Sequence, residues 1–153
     1  MKRRAKFFLV TIFTVLFLLT VSLANVQAAD ATITCGDSGC SGISGALFNE
    51  ANLVPGSTIT RVLKVDNNYP EGRNFAVEVV DSNFSDSSPS LSDMLTLTIK
   101  EEESANEVYG PKTLGEWKND GRVMLSSIPA GEVRNYDFVV KLADVGNDYQ
   151  GKS

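Results

Sequence analysis

The fold of this chain is decided by the stretch YDFVVKL at residues 136–142. Tyr136, Phe138, Val140 and Leu142 are apolar and stand two residues apart, which is the spacing of side chains on one face of a β-strand. The residues between them include an acidic and a basic side chain, so the opposite face can meet water. This period predicts a strand with one buried face.

A similar pattern lies at residues 57–65. Ile59, Leu63 and Val65 share one face of the predicted strand, and threonine and lysine residues lie on the other. Arg61 interrupts the apolar face. It therefore lies either near the edge of a sheet or beside an acidic partner, and the sequence leaves both possibilities open.

Turn-forming residues bound these two strands. They are Pro55, Gly56, Asn67, Pro129 and Gly131. Proline presets a backbone angle that turns require, while glycine and asparagine tolerate the positive φ values that other residues avoid. We expect these residues to have structural roles.

The remaining pattern is that of an all-β domain with one short helix. Further runs with β character lie at residues 74–81, 95–99 and 123–125. Thr113 stands three residues before Glu116, the spacing of a capping box, which favours a short helix near residues 113–119. An irregular loop held by Trp117 is the alternative, because Gly115 weakens any helix. Short strands separated by turns predict a β-sandwich with a small helical insertion.

The first 28 residues have the features of a secretory signal peptide. A basic start is followed by an uncharged apolar run at residues 7–24, and small residues precede a cleavage site between Ala28 and Ala29. An uncleaved membrane anchor is the alternative, but the apolar run is barely long enough to cross a bilayer. The sequence therefore predicts a secreted or extracellular protein.

Charge argues against two classes of partner. The 153-residue chain has 14 basic and 19 acidic residues, and four of the basic residues belong to the predicted signal peptide. Without that segment the net charge is −9, so neither nucleic acid nor anionic lipid is an expected partner. We expect contact with a membrane only through the signal peptide or through a C-terminal anchor beyond this sequence.

Cys35 and Cys40 are the only cysteines, and they lie shortly after the predicted cleavage site. In an oxidising compartment they are expected to form a local disulfide. A zinc site is disfavoured because two thiols without any histidine do not supply four ligands. The surrounding residues 29–45 are small, polar and rich in glycine, so we expect a flexible leader. Within it, one short β-prone piece is formed by Ala31, Thr32, Ile33 and Thr34.

The sequence offers little for catalysis. It contains no histidine, which excludes serine triads and histidine-dependent cysteine proteases. Its acidic residues lie in predicted loops and turns without the arrangement of a glycosidase, so we expect no enzyme activity and no cofactor. Calcium is kept as a weak possibility. The candidate oxygen ligands are Asp144, Asn147 and Asp148, or Asp81, Asn83 and Asp86, and neither set has the spacing of an EF-hand.

One long stretch resembles bacterial exported proteins of the TasA and camelysin type. It reads LFNEANLVPGSTITR at residues 47–61 and continues to VDN at 65–67; the later segments YG at 109–110, TLGEW at 113–117, IPAG at 128–131 and GNDYQGKS at 146–153 are similar to the same architecture. The resemblance implies a jelly-roll-like sandwich, and hence an Ig-like or jelly-roll antiparallel fold at residues 46–153. It also implies a role in extracellular fibres or surface layers. The metallopeptidase activity described for some camelysins is not carried over, because this chain lacks histidine.

The same resemblance implies that a final apolar strand follows the sequence GNDYQGKS, so we expect the sandwich to lack its last strand. A sandwich without one strand exposes backbone donors and acceptors along a groove, which invites a strand from another molecule. The piece at residues 31–34 is the expected donor.

Two functions follow from these features. The first is a secreted, non-catalytic structural subunit of a fibre, biofilm matrix or cell-surface layer that associates with itself or with other surface proteins. The alternative is a cell-surface adhesion or carbohydrate-binding module, whose contacts would be Tyr69, Tyr109, Trp117 and Tyr149.

Overall fold

The structure, a computed structural model, describes residues 28–50, 53–79, 90–102, 104 and 106–144. Within these residues the chain forms one α-helix, α1 (Leu114–Asp120), one 3₁₀ turn (Leu91–Asp93) and eight strands. The strands are β1 (Ala31–Gly36), β2 (Gly39–Ser41), β3 (Thr58–Asn67), β4 (Arg73–Val77), β5 (Leu95–Glu101), β6 (Glu107–Thr113), β7 (Val123–Ile128) and β8 (Val133–Leu142). The signal peptide predicted for residues 1–28 lies outside the described residues, except for Ala28.

The strands form two sheets. The main sheet has the order β2-β1-β3-β8-β5-β6, and the small sheet pairs β4 with β7. Every pair is antiparallel except β1 with β3, which is parallel. The described residues thus form an all-β sandwich with a short helical insertion, as the sequence predicts, although the parallel pair departs from the purely antiparallel sheets that we expected.

The core lies between the inner face of the main sheet and the small sheet. The side chains of Tyr136, Phe138, Val140 and Leu142 are all at most 8% exposed, which confirms the buried face predicted for β8. They pack with the inner faces of β3 and β5, with β7, and with half-buried side chains of β4 and α1. The hydroxyl of Tyr136 is hydrogen-bonded to that of Ser126, which satisfies the polar end of a ring buried in the core.

β3 also agrees with its predicted pattern, since Leu63 and Val65 are buried on the core side. Arg61 lies on the same side and forms ion pairs with Glu50 and, at 3.9 Å, with Asp30. Of the two possibilities that the sequence left open, the acidic partner is therefore correct.

The segment at residues 29–45, which we expected to be a flexible leader, contains two strands of the main sheet. β1 pairs with β3 from Ala31 opposite Leu63 to Cys35 opposite Asn67, and β2 folds back on β1. Glycine in this segment allows the tight turn of the β1–β2 hairpin: Gly39 has a φ of 99°, which favours glycine. The β-prone piece at residues 31–34 is thus paired within its own chain.

The capping box predicted at the helical insertion is present. The backbone N–H of Glu116 donates to the Thr113 hydroxyl at 3.1 Å, and the backbone N–H of Thr113 donates to the Glu116 carboxylate at 2.7 Å. Helix α1 begins directly after β6, a strand that the sequence analysis did not identify. β6 contains Pro111 and pairs with β5 through two register shifts, so it lacks the regular alternation of the other strands.

Candidate functional site

The predicted assembly strand lies second from an edge of the main sheet. Its position is fixed at the beginning by Asp30, whose backbone N–H donates to the Val62 carbonyl at 2.9 Å and whose carboxylate accepts from the Val62 N–H at 2.7 Å. The two residues of the predicted cleavage site, Ala28 and Ala29, immediately precede Asp30. A chain cut between them would keep every residue of β1.

The predicted disulfide joins Cys35 to Cys40, directly opposite residues of β1 and β2. Cys35 is 1% exposed, whereas Cys40 is exposed. The carbonyl of Cys35 also accepts a hydrogen bond at 2.7 Å from the backbone N–H of Asn68, the residue that follows β3. The disulfide therefore links the short outer strand β2 to β1, and β1 is itself paired with β3 of the main sheet.

The two predicted proline-glycine turns occupy opposite ends of the β3–β8 pair. In the first, Ser57 N–H donates to the Val54 carbonyl at 2.9 Å around Pro55 and Gly56, whose φ is 78°. Proline followed by a glycine of positive φ is the pattern of a type II turn. The N–H of Gly56 is 3.1 Å from the Leu142 carbonyl, so this turn is fastened to the end of β8.

The second turn meets Asn67, which is 0% exposed. The side-chain Nδ2 of Asn67 lies 2.8 Å from the Ile128 carbonyl, 2.9 Å from the Pro129 carbonyl and 3.0 Å from the Glu71 carbonyl. Its Oδ1 accepts from the Tyr69 N–H at 3.2 Å. One buried amide thus joins the turn after β3 to the turn before β8.

The backbone of Asn67 adds two hydrogen bonds to the same turn. Its N–H donates to the Glu132 carbonyl at 3.0 Å, and its carbonyl accepts from the Gly131 N–H at 2.8 Å. Gly131 has a φ of 70°, which explains the glycine at this position. The structure thus brings Asn67, Pro129 and Gly131 together into one cluster, which we call the Asn67 cluster. Pro55 and Gly56 belong to the separate turn described above.

Two of the four aromatic residues proposed as contacts pack against each other. The ring centroids of Tyr109 and Trp117 are 6.4 Å apart. The Tyr109 hydroxyl donates to Asp120 at 2.8 Å, and the Lys112 ammonium donates to the same oxygen at 2.6 Å while lying 5.5 Å from the Tyr109 ring centroid. The hydrogen bonds from Lys112 and Tyr109 lower the pKa of Asp120, while burial and then Asp120 raise the pKa of Tyr109. These contacts fasten α1 to β6.

Tyr69 lies apart from that pair, in an open cleft of about 420 Å³. The guanidinium of Arg73 lies 4.9 Å from the centroid of the Tyr69 ring. Phe75, Arg122 and Cys40 also line the cleft, which places it between the small sheet and the outer hairpin. Tyr149, the fourth aromatic residue, lies outside the described residues.

A second cavity, of about 310 Å³, lies against the inner face of the main sheet below α1. Its walls are apolar except at Glu50. Besides Glu50, the lining residues are Phe48, Leu53, Ile59, Leu95, Leu97, Leu114, Trp117 and Val140. We call it the Trp117 cavity. Nothing in the sequence pattern indicated it, because its walls come from segments far apart in the chain.

One acidic residue on the outer face of the main sheet has a perturbed pKa. Asp137 lies opposite Val62 of β3 and Lys100 of β5. Burial raises the pKa of Asp137, and the carboxylate of Glu102 raises it further, whereas Lys100 lowers it. The charged form of Asp137 is therefore disfavoured in the folded protein.

The described part of the chain contains no group of three His, Cys, Asp or Glu residues that could hold a metal ion. Of the possible calcium ligands, Asp144 is described, and the other five lie outside the described residues. In the same part of the chain, no helix is both long and apolar enough to cross a membrane.

Comparison with known proteins returns no matching family model, no matching curated protein and no matching solved structure. What the described residues define is thus a class of architecture, a six-stranded sheet packed on a two-stranded sheet with a disulfide-linked hairpin at its edge.

Proposed function

We propose that the protein is a secreted, non-catalytic structural subunit of an extracellular fibre, biofilm matrix or cell-surface layer, and that copies assemble through β-strand pairing. The observation that carries the proposal is the position of β1. Among the described strands it pairs with β2 and β3 alone, and it lies outside the strongly connected β3–β8–β5 centre of the sheet. A strand in this position can be supplied by another copy without changing the contacts that it makes.

The segment after the hairpin supports such an exchange. Residues 42–50 and 53–57, the described part of the connection between β2 and β3, contain no helix or strand. If the connection extends instead of folding back, β1 of one copy reaches β3 of the next with the same register, from Ala31 opposite Leu63 to Cys35 opposite Asn67. Exchange of an identical element between copies conserves its contacts and has a low energetic cost. Repeated from copy to copy, it produces a fibre.

Cysteine cross-linking tests this exchange directly. Thr32 and Lys64 are partners in the β1–β3 register. We would prepare Thr32→Cys and Lys64→Cys as separate proteins, mix them under conditions of assembly in a glutathione buffer, and separate the products on a non-reducing gel. A disulfide between the two proteins requires that β1 of one copy lies on β3 of the other.

A register control makes the result specific. Lys64→Cys is replaced by Thr60→Cys, which lies four residues away on the same strand, and we expect no cross-link with Thr32→Cys. Filaments that form without cross-links at the Thr32–Lys64 pair would refute strand exchange. Deletion of residues 29–45 should abolish assembly. Unchanged filaments from that variant would also refute strand exchange.

Carbohydrate binding is the second candidate, and the cleft at Tyr69 favours it. An aromatic ring beside the exposed guanidinium groups of Arg73 and Arg122 offers both a stacking surface and hydrogen-bond donors to a sugar. Retention of monomers on a glycan column, lost in Tyr69→Ala and kept in Tyr109→Phe, would favour this function over assembly.

A further inference from the structure

We propose that the Cys35–Cys40 disulfide is a redox-sensitive switch at the edge of the main sheet. While the disulfide is intact, β2 covers the outer edge of β1. When a small dithiol reduces it, β2 separates from β1, and the outer edges of two copies pair with each other. The strand exchange proposed above uses the opposite edge of β1, the one that faces β3, so this inference does not depend on it.

The backbone groups of β1 alternate between its two edges. The Cys35 carbonyl accepts a hydrogen bond from the Asn68 N–H at 2.7 Å, so the backbone groups of Cys35 face β3. Those of Thr32 and Thr34, which stand one and three residues from an odd-numbered neighbour in the same register, therefore face the outer edge. β2 lies along this outer edge, with Ser41 opposite Thr34.

The chain stays on the outer edge of β1 beyond the end of β2. Gly42 lies so close to β1 that a Cβ atom there would be 2.2 Å from the Thr32 carbonyl oxygen. Its φ of 126° also favours glycine. Residues 39–42 together therefore cover the outer edge of β1 from Thr32 to Gly36.

The two strands of the hairpin differ in what holds them on the sheet. β1 pairs with β3 over five residues, and its Ala31 and Ile33 side chains pack against the core. Asp30 adds two hydrogen bonds to Val62. β2 has three residues, all of them exposed, and among the described strands it pairs with β1 alone. Reduction of the disulfide therefore weakens the attachment of β2 and leaves β1 in place.

The outer edge of β1 lacks the features that commonly prevent one sheet edge from pairing with another. Such features are charged residues, proline and irregular pairing. β6, at the other edge of the main sheet, contains Pro111 and pairs with β5 through two register shifts. β1 reads ATITCG and contains neither a charged residue nor a proline. Its protection is therefore the disulfide-linked β2.

The partner that fits this edge is a second copy of the chain. Two open β1 edges can pair antiparallel about a twofold axis, so that each edge supplies the backbone donors and acceptors that the other needs. Because β1 contains no charged residue, this pairing places no like charges opposite each other on the two strands. β6 fits less well, because Pro111 has no N–H to donate.

Reduction has to begin at Cys40, because Cys35 is 1% exposed whereas Cys40 is exposed. A thiolate of the dithiol attacks the Sγ atom of Cys40, the S–S bond breaks, and Cys35 leaves as a thiolate that takes up a proton. The second thiolate of the dithiol then attacks the reductant sulfur of the mixed disulfide and releases Cys40. Two electrons pass to the protein, and the dithiol becomes a cyclic disulfide.

Sedimentation velocity over a range of protein concentrations tests the proposal, with dithiothreitol as the reductant. As the concentration rises, the reduced protein should shift from the sedimentation of the oxidised protein to that of its dimer. C35A/C40S should form the same dimer without reductant, which excludes a disulfide between copies. At concentrations too low for pairing, amides of the β1–β2 hairpin should exchange roughly thirtyfold faster after reduction.

Thr32 provides a matched pair of variants in the C35A/C40S background. Thr32→Pro removes the backbone N–H on the outer edge and leaves the hydrogen bonds from β1 to β3 unchanged, so it should prevent the dimer. Thr32→Val keeps this N–H and a branched side chain, so it should retain the dimer.

Three results would overturn the proposal. The first is reduced protein and C35A/C40S that both sediment as the oxidised protein does, up to the highest soluble concentration. The second is equal dimer formation in Thr32→Pro and Thr32→Val, which would place the contact elsewhere. The third is loss of exchange protection at the Ala31 and Ile33 amides after reduction, which would show that the disulfide holds β1 as well as β2.

Discussion

Replacement of Asn67 by alanine removes the amide that joins the two turns of the Asn67 cluster. An amide nitrogen carries two hydrogens, which it shares among the carbonyls of Glu71, Ile128 and Pro129, and the amide oxygen accepts from Tyr69. The substitution thus removes about three hydrogen bonds at roughly 1 kcal/mol each. Since Asn67 is 0% exposed, the groups left behind are poorly reached by water, and we expect a total loss of about 3 to 4 kcal/mol in the free energy of unfolding.

Urea denaturation followed by circular dichroism measures this loss. The slope of the unfolding free energy against urea concentration should be the same for Asn67→Ala and the unsubstituted protein, because both expose similar surface on unfolding. The urea midpoint of Asn67→Ala should be lower. Asn68→Ala is the matched control. Asn68 is exposed, so its replacement should change the free energy of unfolding by no more than about 0.5 kcal/mol.

Asn67→Asp adds a dependence on pH that alanine does not have. The introduced carboxyl group faces carbonyl oxygens in a buried site, so its pKa in the folded protein is raised above the unfolded value of about 3.9. The part of the penalty that comes from the charge is complete above the folded pKa and is lost as the pH falls to the unfolded pKa. The protonated group then donates one hydrogen bond, whereas the amide nitrogen has two hydrogens to donate. If Asn67→Ala lies within about 1 kcal/mol of the unsubstituted protein, or if the Asn67→Asp penalty is the same at pH 7 and pH 4, the reasoning is wrong.

Three further predictions concern other parts of the sandwich. Asp137→Asn should raise the urea midpoint at pH 7, because the pKa of Asp137 is raised by burial, and the gain should vanish below about pH 4, where both states of the original carboxyl are protonated; an unchanged gain at pH 3 would contradict it. Thr113→Ala should cost about 1 kcal/mol of unfolding free energy through loss of the cap of α1, whereas Thr113→Ser should retain most of it in the same urea titration. Replacement of both Cys35 and Cys40 by serine should destabilise the hairpin by roughly 2 kcal/mol, visible in hydrogen exchange as faster exchange of β1 and β2 amides with little change in β8; equal protection of the hairpin in both proteins would disprove it.

The sequence predicted those strands whose alternation is regular and whose one face is buried. β3, β5 and β8 have this property, and their positions agree with the predictions because the two-residue period is a direct result of strand geometry. The capping box at Thr113 could also be predicted from the sequence, since it depends on two residues three positions apart.

The rest depends on contacts between distant segments. The glycine-rich composition of residues 29–45 predicts a flexible leader with a β-prone piece at residues 31–34, but the parallel pairing of this piece with β3 has no local sequence signal. β6 was missed because Gly110 and Pro111 interrupt the alternation of apolar and polar residues, which an edge strand tolerates. The sequence identified Asn67, Pro129 and Gly131 as turn residues, but only the fold places the first beside the other two.

The central pairing of the main sheet also determines the order in which the protein can fold. Asp66 of β3 is opposite Val133 of β8, 67 positions later, and Thr58 is opposite Lys141, 83 positions later. Topologies dominated by such non-local pairs fold on the scale of milliseconds to seconds. In a chain that emerges from its N-terminus, β1 and β3 are present well before β8, and until β8 arrives one edge of β3 is open. The open edge is the one that later pairs with β8, on the side of β3 opposite β1, so we expect incorrect pairing between chains at this edge to increase when many chains emerge close together.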